Sequence, residues 1–239
     1  MSRREVTPID KLASLSLFYP FYNEEGNIEE AVRRALAILP RFADEFEVIL
    51  VDDGSRDRTG AIADSLAASD ARLRVVHHPA NRGYGAALRS GIAASRHEWI
   101  FYTDGDNQFD LEEIALLLPL RHDHEIVSGY RIARSDPWPR KLNAAIFNLA
   151  IRILFGLSMR DVDCAFKLYR GSIFAGMDLT SNGAMIDVEI LAKARRRGGR
   201  IAEVGVRHHP RTVGTQTGAN LSVIARAFRE LIRLRWNLG

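Results

Sequence analysis

The segment Phe46-Glu47-Val48-Ile49-Leu50-Val51 constrains this chain most: it is apolar at nearly every position and ends abruptly in Asp52-Asp53-Gly54-Ser55. Successive side chains of a strand point to opposite faces, so a half-buried strand alternates apolar and polar residues. A run without that alternation belongs in a sheet covered on both faces, the usual setting of parallel strands joined by helices. The rest of the front half agrees. Leu15-Ser16-Leu17-Phe18-Tyr19 reads as a first strand stopped by Pro20, Leu73-Arg74-Val75-Val76 as a third, and Glu98 to Thr103 as a fourth. Between them, Ile28 to Leu39, Thr59 to Ala68 and Ala86 to Ser95 read as helices. Ile28, Val32, Ala35, Leu36 and Leu39 recur at helical spacing, and Asn23 or Asn27 is placed to cap that helix.

After about residue 120 the rhythm changes. Ile126 to Gly129, Cys164 to Tyr169 and Ile201 to Val206 read as further strands, with a helix from Asp187 to Arg197. Leu142 to Leu157 reads as a helix that is apolar almost all round. With 239 residues and no internal repeat or low-complexity linker, the expectation is one α/β domain over 1–239, a mostly parallel sheet with helices on both faces. A basic amphipathic helix over 220–238 is expected to close it: Leu221, Ile224, Ala225, Phe228, Leu231 and Ile232 share one face, beside Arg226, Arg229 and Arg233. Such a helix, with Trp236 near its end, suits either an anionic membrane surface or packing on the core.

Charge is distributed unevenly although the net value is only +3. Residues 1–130 carry 14 Lys/Arg against 22 Asp/Glu, whereas residues 193–239 carry 11 against 2. An acidic front and a basic back imply two surfaces with different partners, the second preferring an anion. Nucleic acid ranks last, because the front is acidic and no recognition motif is present. The single cysteine, Cys164, excludes an internal disulfide framework and fits a reducing compartment. The polar start Met1-Ser2-Arg3-Arg4-Glu5 and the lack of an apolar run of about 18 residues lead to a cytoplasmic expectation, peripheral to a membrane if the final helix binds one.

The polar clusters all fall at the expected carboxyl ends of strands, where ligands bind in open α/β sheets. Asp104-Gly105-Asp106 follows Trp99-Ile100-Phe101-Tyr102-Thr103. Two carboxylates so spaced converge on a hard cation such as Mg²⁺ or Mn²⁺, and Gly105 allows a tight turn close to a ligand. A solvated acidic loop has the same composition. Asp52 and Asp53 can accept hydrogen bonds from a ribose or a base, while Ser55 or Asp57 can cap the following helix. Asn81-Arg82-Gly83-Tyr84-Gly85 opens a helix with small residues but lacks the third glycine of a dinucleotide fingerprint, so Asn81 and Gly83 are read as either structural or ligand-contacting.

Together these loops resemble the family 2 glycosyltransferases, which carry the GT-A nucleotide-sugar fold. Pro20-Phe21-Tyr22-Asn23-Glu24 resembles the family's Pro-x-Tyr-Asn-Glu loop, and Val51 to Thr59 its Val-Asp-Asp-Gly-Ser-x-Asp-x-Thr loop. Asn81-Arg82-Gly83 matches its third landmark, and Asp104 to Gln108 its metal-binding motif. The resemblance covers about residues 14–215. It implies a nucleotide-sugar half over 14–125, in which Pro20, Tyr22, Glu24, Asp52, Asp53, Asn81 and Gly83 serve the donor. Asp104 and Asp106 would hold Mg²⁺ or Mn²⁺, with Gln108 near the diphosphate and metal, as in the dolichyl-phosphate mannose synthase branch.

The same resemblance implies an acceptor half over 126–215. Ser128-Gly129-Tyr130-Arg131 is similar to that branch's Gly-Ser-Arg segment, and Asp161 to Lys167 to its Asp-x-x-x-Gly-Phe-Arg stretch, with Ala165 and Lys167 as departures. His209 to Gln216 resembles a segment that closes over donor and metal. Arg131, Arg134 and Arg211 would then grip an acceptor phosphate. A phosphate nucleophile is already ionised near neutral pH, whereas an alcohol would need a base such as Asp161, Asp163 or Glu189. The resulting expectation is an inverting hexosyltransferase that moves sugar from a GDP-mannose or UDP-glucose type of donor to a polyprenyl phosphate. A hydroxyl acceptor, or nucleotide binding without transfer, is the alternative.

Overall fold

The structure, a computed structural model, describes residues 10–132, 149–211 and 230–236. Its centre is a pair of long strands, β1 (Leu12–Phe21) and β2 (Ala43–Asp52), paired in parallel from Leu12↔Ala43 to Phe21↔Asp52. Val48, Ile49, Leu50 and Val51 are all fully buried, as a strand covered on both faces requires. β3 (Leu73–His77) and β4 (Trp99–Thr103) extend the sheet, and β5 (Ile126–Ile132), β6 (Phe166–Arg170) and β7 (Ile201–Arg207) complete it in the order β3-β2-β1-β4-β6-β5-β7. Pairing is parallel except that β6 runs antiparallel to both β4 and β5.

Helices α1 (Ile28–Ile38), α2 (Thr59–Ser69) and α3 (Tyr84–Ala94) connect the first four strands. A short α4 (Ile114–Leu117) follows β4, and α5 (Met185–Arg196) links β6 to β7. The α/β expectation with a mostly parallel sheet holds. No helix among the described residues is long and apolar enough to cross a membrane.

Three details differ from the sequence reading. β1 continues through Pro20 instead of stopping there. The carbonyl of Phe21 accepts from Asp53 N–H on the β2 side, so the nitrogen of Pro20 faces the β4 side, where registered pairing already ends at Phe18↔Tyr102. A missing N–H therefore costs no ladder bond there. Asn27 is the N-cap residue of α1, but its side-chain amide donates to Glu24 Oε2 and makes no capping bond. β5 extends to Ile132, which carries Arg131 into the sheet.

Of the apolar helix expected over Leu142–Leu157, residues 149–155 are helical, with Leu149 and Ile153 exposed, and 142–148 lie outside the described residues. Of the C-terminal helix, residues 230–236 are helical; Leu231 and Leu234 pack into the core while Ile232 and Trp236 are exposed. Leu221 to Arg229 lie outside the described residues, as does Arg134.

Since β1, β2, β3, β4, β5 and β7 run in one direction, the loops after them open on one edge of the sheet. β6 runs the other way and pairs Phe166 with Thr103 at the end of β4. The segment before β6, Asp161 to Ala165, is thereby delivered to that same edge.

Candidate active site

The loop after β1 is sewn to the turn after β2. Asn23 N–H donates to Ser55 Oγ at 2.9 Å, Glu24 N–H to Thr59 Oγ1 at 2.8 Å, and Glu25 N–H to Asp57 Oδ2 at 3.2 Å. In return, Arg56 N–H donates to Asn23 Oδ1 at 2.8 Å and Arg58 N–H to Glu25 Oε2 at 3.0 Å. The spacing of Ser55, Asp57 and Thr59 thus serves backbone N–H groups 32 to 35 residues away as well as the start of α2. Asp57 also accepts from Thr59 N–H at 2.9 Å, but the N-cap residue of α2 is Arg58, so Asp57 shapes the turn just ahead of the helix and does not occupy the cap position read from the sequence. This stitching fixes Glu24 at the mouth of the cleft.

Asp52 and Asp53 leave the end of β2 in opposite directions, as adjacent residues on a strand must. Asp52 accepts from Ser55 N–H at 2.9 Å and meets His77 Nδ1 at 3.0 Å. It is not among the residues that line the cleft, and its bonds shape the turn. Asp53 does line the cleft. It accepts from Arg82 N–H and Gly83 N–H, each at 2.9 Å, and contacts His78 Nδ1 at 2.6 Å. Asp53 is therefore the anchor of the Asn81–Gly83 turn, and that turn in turn walls the cleft.

Asp104 and Asp106 follow β4. Gly105 is needed there for a reason the sequence could not show: a Cβ would lie 2.0 Å from the ring of Phe21. Asp104 Oδ1 accepts from the Tyr84 hydroxyl at 3.1 Å, and Asp106 Oδ1 from Gln108 N–H at 3.2 Å. Gln108 itself is not among the residues that line the cleft. Its side-chain amide donates to His209 O at 2.7 Å, and its own carbonyl accepts from His209 N–H at 2.8 Å. It tethers the segment that carries Arg211, which pairs with Glu24 and stands 3.9 Å from Asp106.

Beneath Asp104 lies a buried polar ladder. The Tyr102 hydroxyl donates to Asp187 Oδ1 at 2.5 Å, and Lys167 Nζ donates to Asp187 Oδ1 at 2.7 Å, to Cys164 O at 2.6 Å and to Tyr102 Oη at 3.1 Å. Lys167 and Asp187 were not expected to form a unit. The sign was there: a lone cation inside the apolar strand Phe166-Lys167-Leu168-Tyr169 must find a buried partner.

Further along the edge, Arg131 donates to both oxygens of Asp161, from Nε at 2.6 Å and from a terminal nitrogen at 2.7 Å. Burial opposes the Arg131 charge, and these bonds outweigh it and hold its pKa above the ordinary value. Arg131 and Asp161 are thus joined to each other and do not line the cleft. Glu189, a candidate base, instead accepts from Thr180 N–H at 3.0 Å, Ser181 N–H at 2.8 Å and Lys193 Nζ at 2.6 Å, which pins the 180–181 loop.

The cleft that results has a volume of about 400 Å³. Of the residues singled out in the sequence, Pro20, Tyr22, Glu24, Asp53, Asn81, Gly83, Asp104, Gly105, Asp106 and Arg211 line it; Phe21, Tyr84 and Ala87 are additions. Desolvation, then the charge of Asp106, pushes the Asp104 carboxyl up to about 7. Desolvation also raises Asp106. Two raised carboxyls side by side form a donor pair short of positive charge, which fits a divalent cation. Among the described residues no three His, Cys, Asp or Glu side chains form a complete cage. Magnesium and manganese are suited to such a half-site, taking one or two carboxylates and completing their shell with substrate phosphate and water.

Comparison with known proteins agrees with this layout. Residues 16–177 match the family model described as Glycosyl transferase family 2. Glycosyltransferase AglD of Haloferax volcanii is 34% identical over 212 residues, covering 82% of this chain and 33% of AglD. The undecaprenyl-phosphate 4-deoxy-4-formamido-L-arabinose transferase of Pectobacterium atrosepticum is 32% identical over 219 residues, covering 90% of this chain and 66% of that one. The chain thus spans between one third and two thirds of these relatives' lengths. Glucosyl-3-phosphoglycerate synthase from Mycobacterium tuberculosis, crystallised with Mn²⁺ and uridine-diphosphate-glucose, superposes with a TM-score of 0.69 at 20% identity, over 93% of this chain and 77% of that one. The matched stretch takes in all four strand-end loops that build the cleft, and the chain belongs to glycosyl transferase family 2.

Proposed function

We propose that this chain is an inverting glycosyltransferase that moves a hexose from a nucleotide sugar of the GDP-mannose or UDP-glucose type to a polyprenyl phosphate. The observation that carries the reading is the convergence of Glu24, Asp53, Asp104, Asp106 and Arg211 on one cleft at the carboxyl edge of the sheet. Asp104 and Asp106 would hold Mg²⁺ or Mn²⁺, which when bound offsets the charge of the departing diphosphate. Asp53 offers an acceptor to the nucleoside, and the Arg211 guanidinium offers planar donors to phosphate. A phosphate acceptor is supported by the engagement of the candidate bases Asp161 and Glu189 in other bonds, since an ionised phosphate needs none. The names of the undecaprenyl-phosphate relatives support the same acceptor class. Exposed Ile232 and Trp236 on the final helix support contact with the cytoplasmic membrane surface that presents such a lipid. A hydroxyl acceptor would need Asp163, whose carboxyl is pushed up to about 6 by desolvation and then by Asp187.

The test is incubation of the purified chain with labelled nucleotide sugars, Mg²⁺ or Mn²⁺, and undecaprenyl phosphate in detergent. Label should move into the organic phase with inverted anomeric configuration. Donor hydrolysis with no organic-phase product from any donor would exclude the lipid acceptor. Cation binding should also depend on pH. A cation needs the ionised carboxylate, and Asp104 is protonated below about 7. Mn²⁺ affinity should therefore fall by up to about tenfold per unit as pH drops from 7 to 5.5. Calorimetric titration checks this, and a flat profile over that range would contradict it.

A further inference from the structure

Tyr84 sits where several backbone constraints converge. It opens α3 directly after Gly83, whose φ of 95° lies in the left-handed region. The N–H groups of Arg82 and Gly83 are both held by Asp53, and Gly85 N–H donates to Asn182 O at 2.8 Å. A Cβ at position 83 would meet Asn182 O at 2.6 Å, so the chain passes there with no room to shift. The backbone of Tyr84 is thus held on both sides. A tyrosine then has only two side-chain torsions left to order, so its hydroxyl is delivered at low entropic cost.

That hydroxyl donates to Asp104 Oδ1 at 3.1 Å, and the ring forms part of the cleft wall. Among the described residues Asp104 has no other hydrogen-bond partner. Asp106 is different, since it accepts from Gln108 N–H and faces Arg211. One oxygen of Asp104 is therefore tied to the protein and Oδ2 is left to a ligand. Carboxylates that bind metals are commonly oriented by an outer hydrogen-bond donor of this kind, and its loss weakens metal binding.

We infer that Tyr84 is a positioning residue that aims Asp104 at a divalent cation, an inference that rests on the cation site proposed above. Tyr84→Phe removes one O–H and keeps the ring. Mn²⁺ binding is followed by loss of the free-ion electron paramagnetic resonance signal, with and without uridine or guanosine diphosphate. The parent chain, Tyr84→Phe and Asp104→Asn are compared. Tyr84→Phe should bind Mn²⁺ about 10- to 100-fold more weakly than the parent. Its melting temperature and its chelator-insensitive nucleotide binding should match the parent. Its activation curve should shift to higher Mn²⁺ while the plateau rate is retained, a split that a merely structural hydrogen bond would not produce. Equal Mn²⁺ affinity in Tyr84→Phe and parent, with Asp104→Asn impaired, overturns the role of Tyr84 and leaves the cation site standing. A parent chain that binds no Mn²⁺ with either nucleotide overturns both.

Discussion

Asp104→Asn should lower sugar transfer by at least about 10³-fold while leaving the metal-free chain as stable as the parent or more so at pH 8. The first effect follows from losing a charged ligand of the cation that would stabilise the leaving diphosphate. The second follows from the state of the empty carboxylate pair. Desolvation and the neighbouring Asp106 raise the Asp104 carboxyl to about 7 in the folded chain, above its ordinary value of 3.8. A carboxyl whose folded pKa is raised is better tolerated protonated, so its share of stability is present at low pH. That share is lost as pH climbs from the ordinary carboxylate range through 7. The amide cannot ionise and escapes that loss. Thermal melts of parent and variant in chelator should therefore converge near pH 4, draw apart as pH rises from there to 7, and stay apart above it. The Mn²⁺-induced rise in melting temperature should appear in the parent alone. Retained turnover, or a variant that melts well below the parent at pH 8, would contradict this account.

Lys167→Met should lower the melting temperature by on the order of 10 °C. Lys167 is 0% exposed and its partner Asp187 2%, so neither charge has water to fall back on. An ammonium has three donors, and here they meet three acceptors: Asp187 Oδ1, Tyr102 Oη and Cys164 O. Removing the cation leaves a buried carboxylate served by the Tyr102 hydroxyl alone, a loss of about 3–5 kcal/mol for breaking one side of a buried pair. Replacing both charges, Lys167→Met with Asp187→Leu, should recover part of that loss, because no lone charge then remains. Calorimetry of the single and double variants checks the coupling, and additive losses would show that the pair is not a unit. The same three-for-three match gives a physical reason for lysine where the family pattern has arginine. A guanidinium would bring five donors to a pocket with three acceptors.

Much of the site was legible because its parts are local. Strand ends, turn residues and the two acidic motifs are set by near neighbours, and Asp53, Glu24, Asn81, Gly83, Asp104 and Asp106 all reach one cleft. Local reading had less success where a residue's partner is remote. Gln108 has a motif position beside the Asp104–Asp106 carboxylate pair, yet it bonds to His209, 101 residues away. Arg131 and Asp161 read as separate site residues, and the structure joins them across 30 residues. Asp52 and Asp53 look equivalent in the chain, and strand geometry sends one to His77 and the other to the cleft.

By itself, the sequence determined a covered parallel sheet, the order of its strands and helices along the chain, and the carboxylate-bearing loops at strand ends. These follow from side-chain periodicity and turn chemistry, which act over a few residues. Only the tertiary structure decided that β6 runs backwards to bring Asp161–Ala165 to the same edge, that Gly105 makes room for the Phe21 ring, and that Tyr84 holds Asp104. Those outcomes depend on which side chains meet across the folded sheet, and no local pattern encodes a contact between residues far apart in the chain.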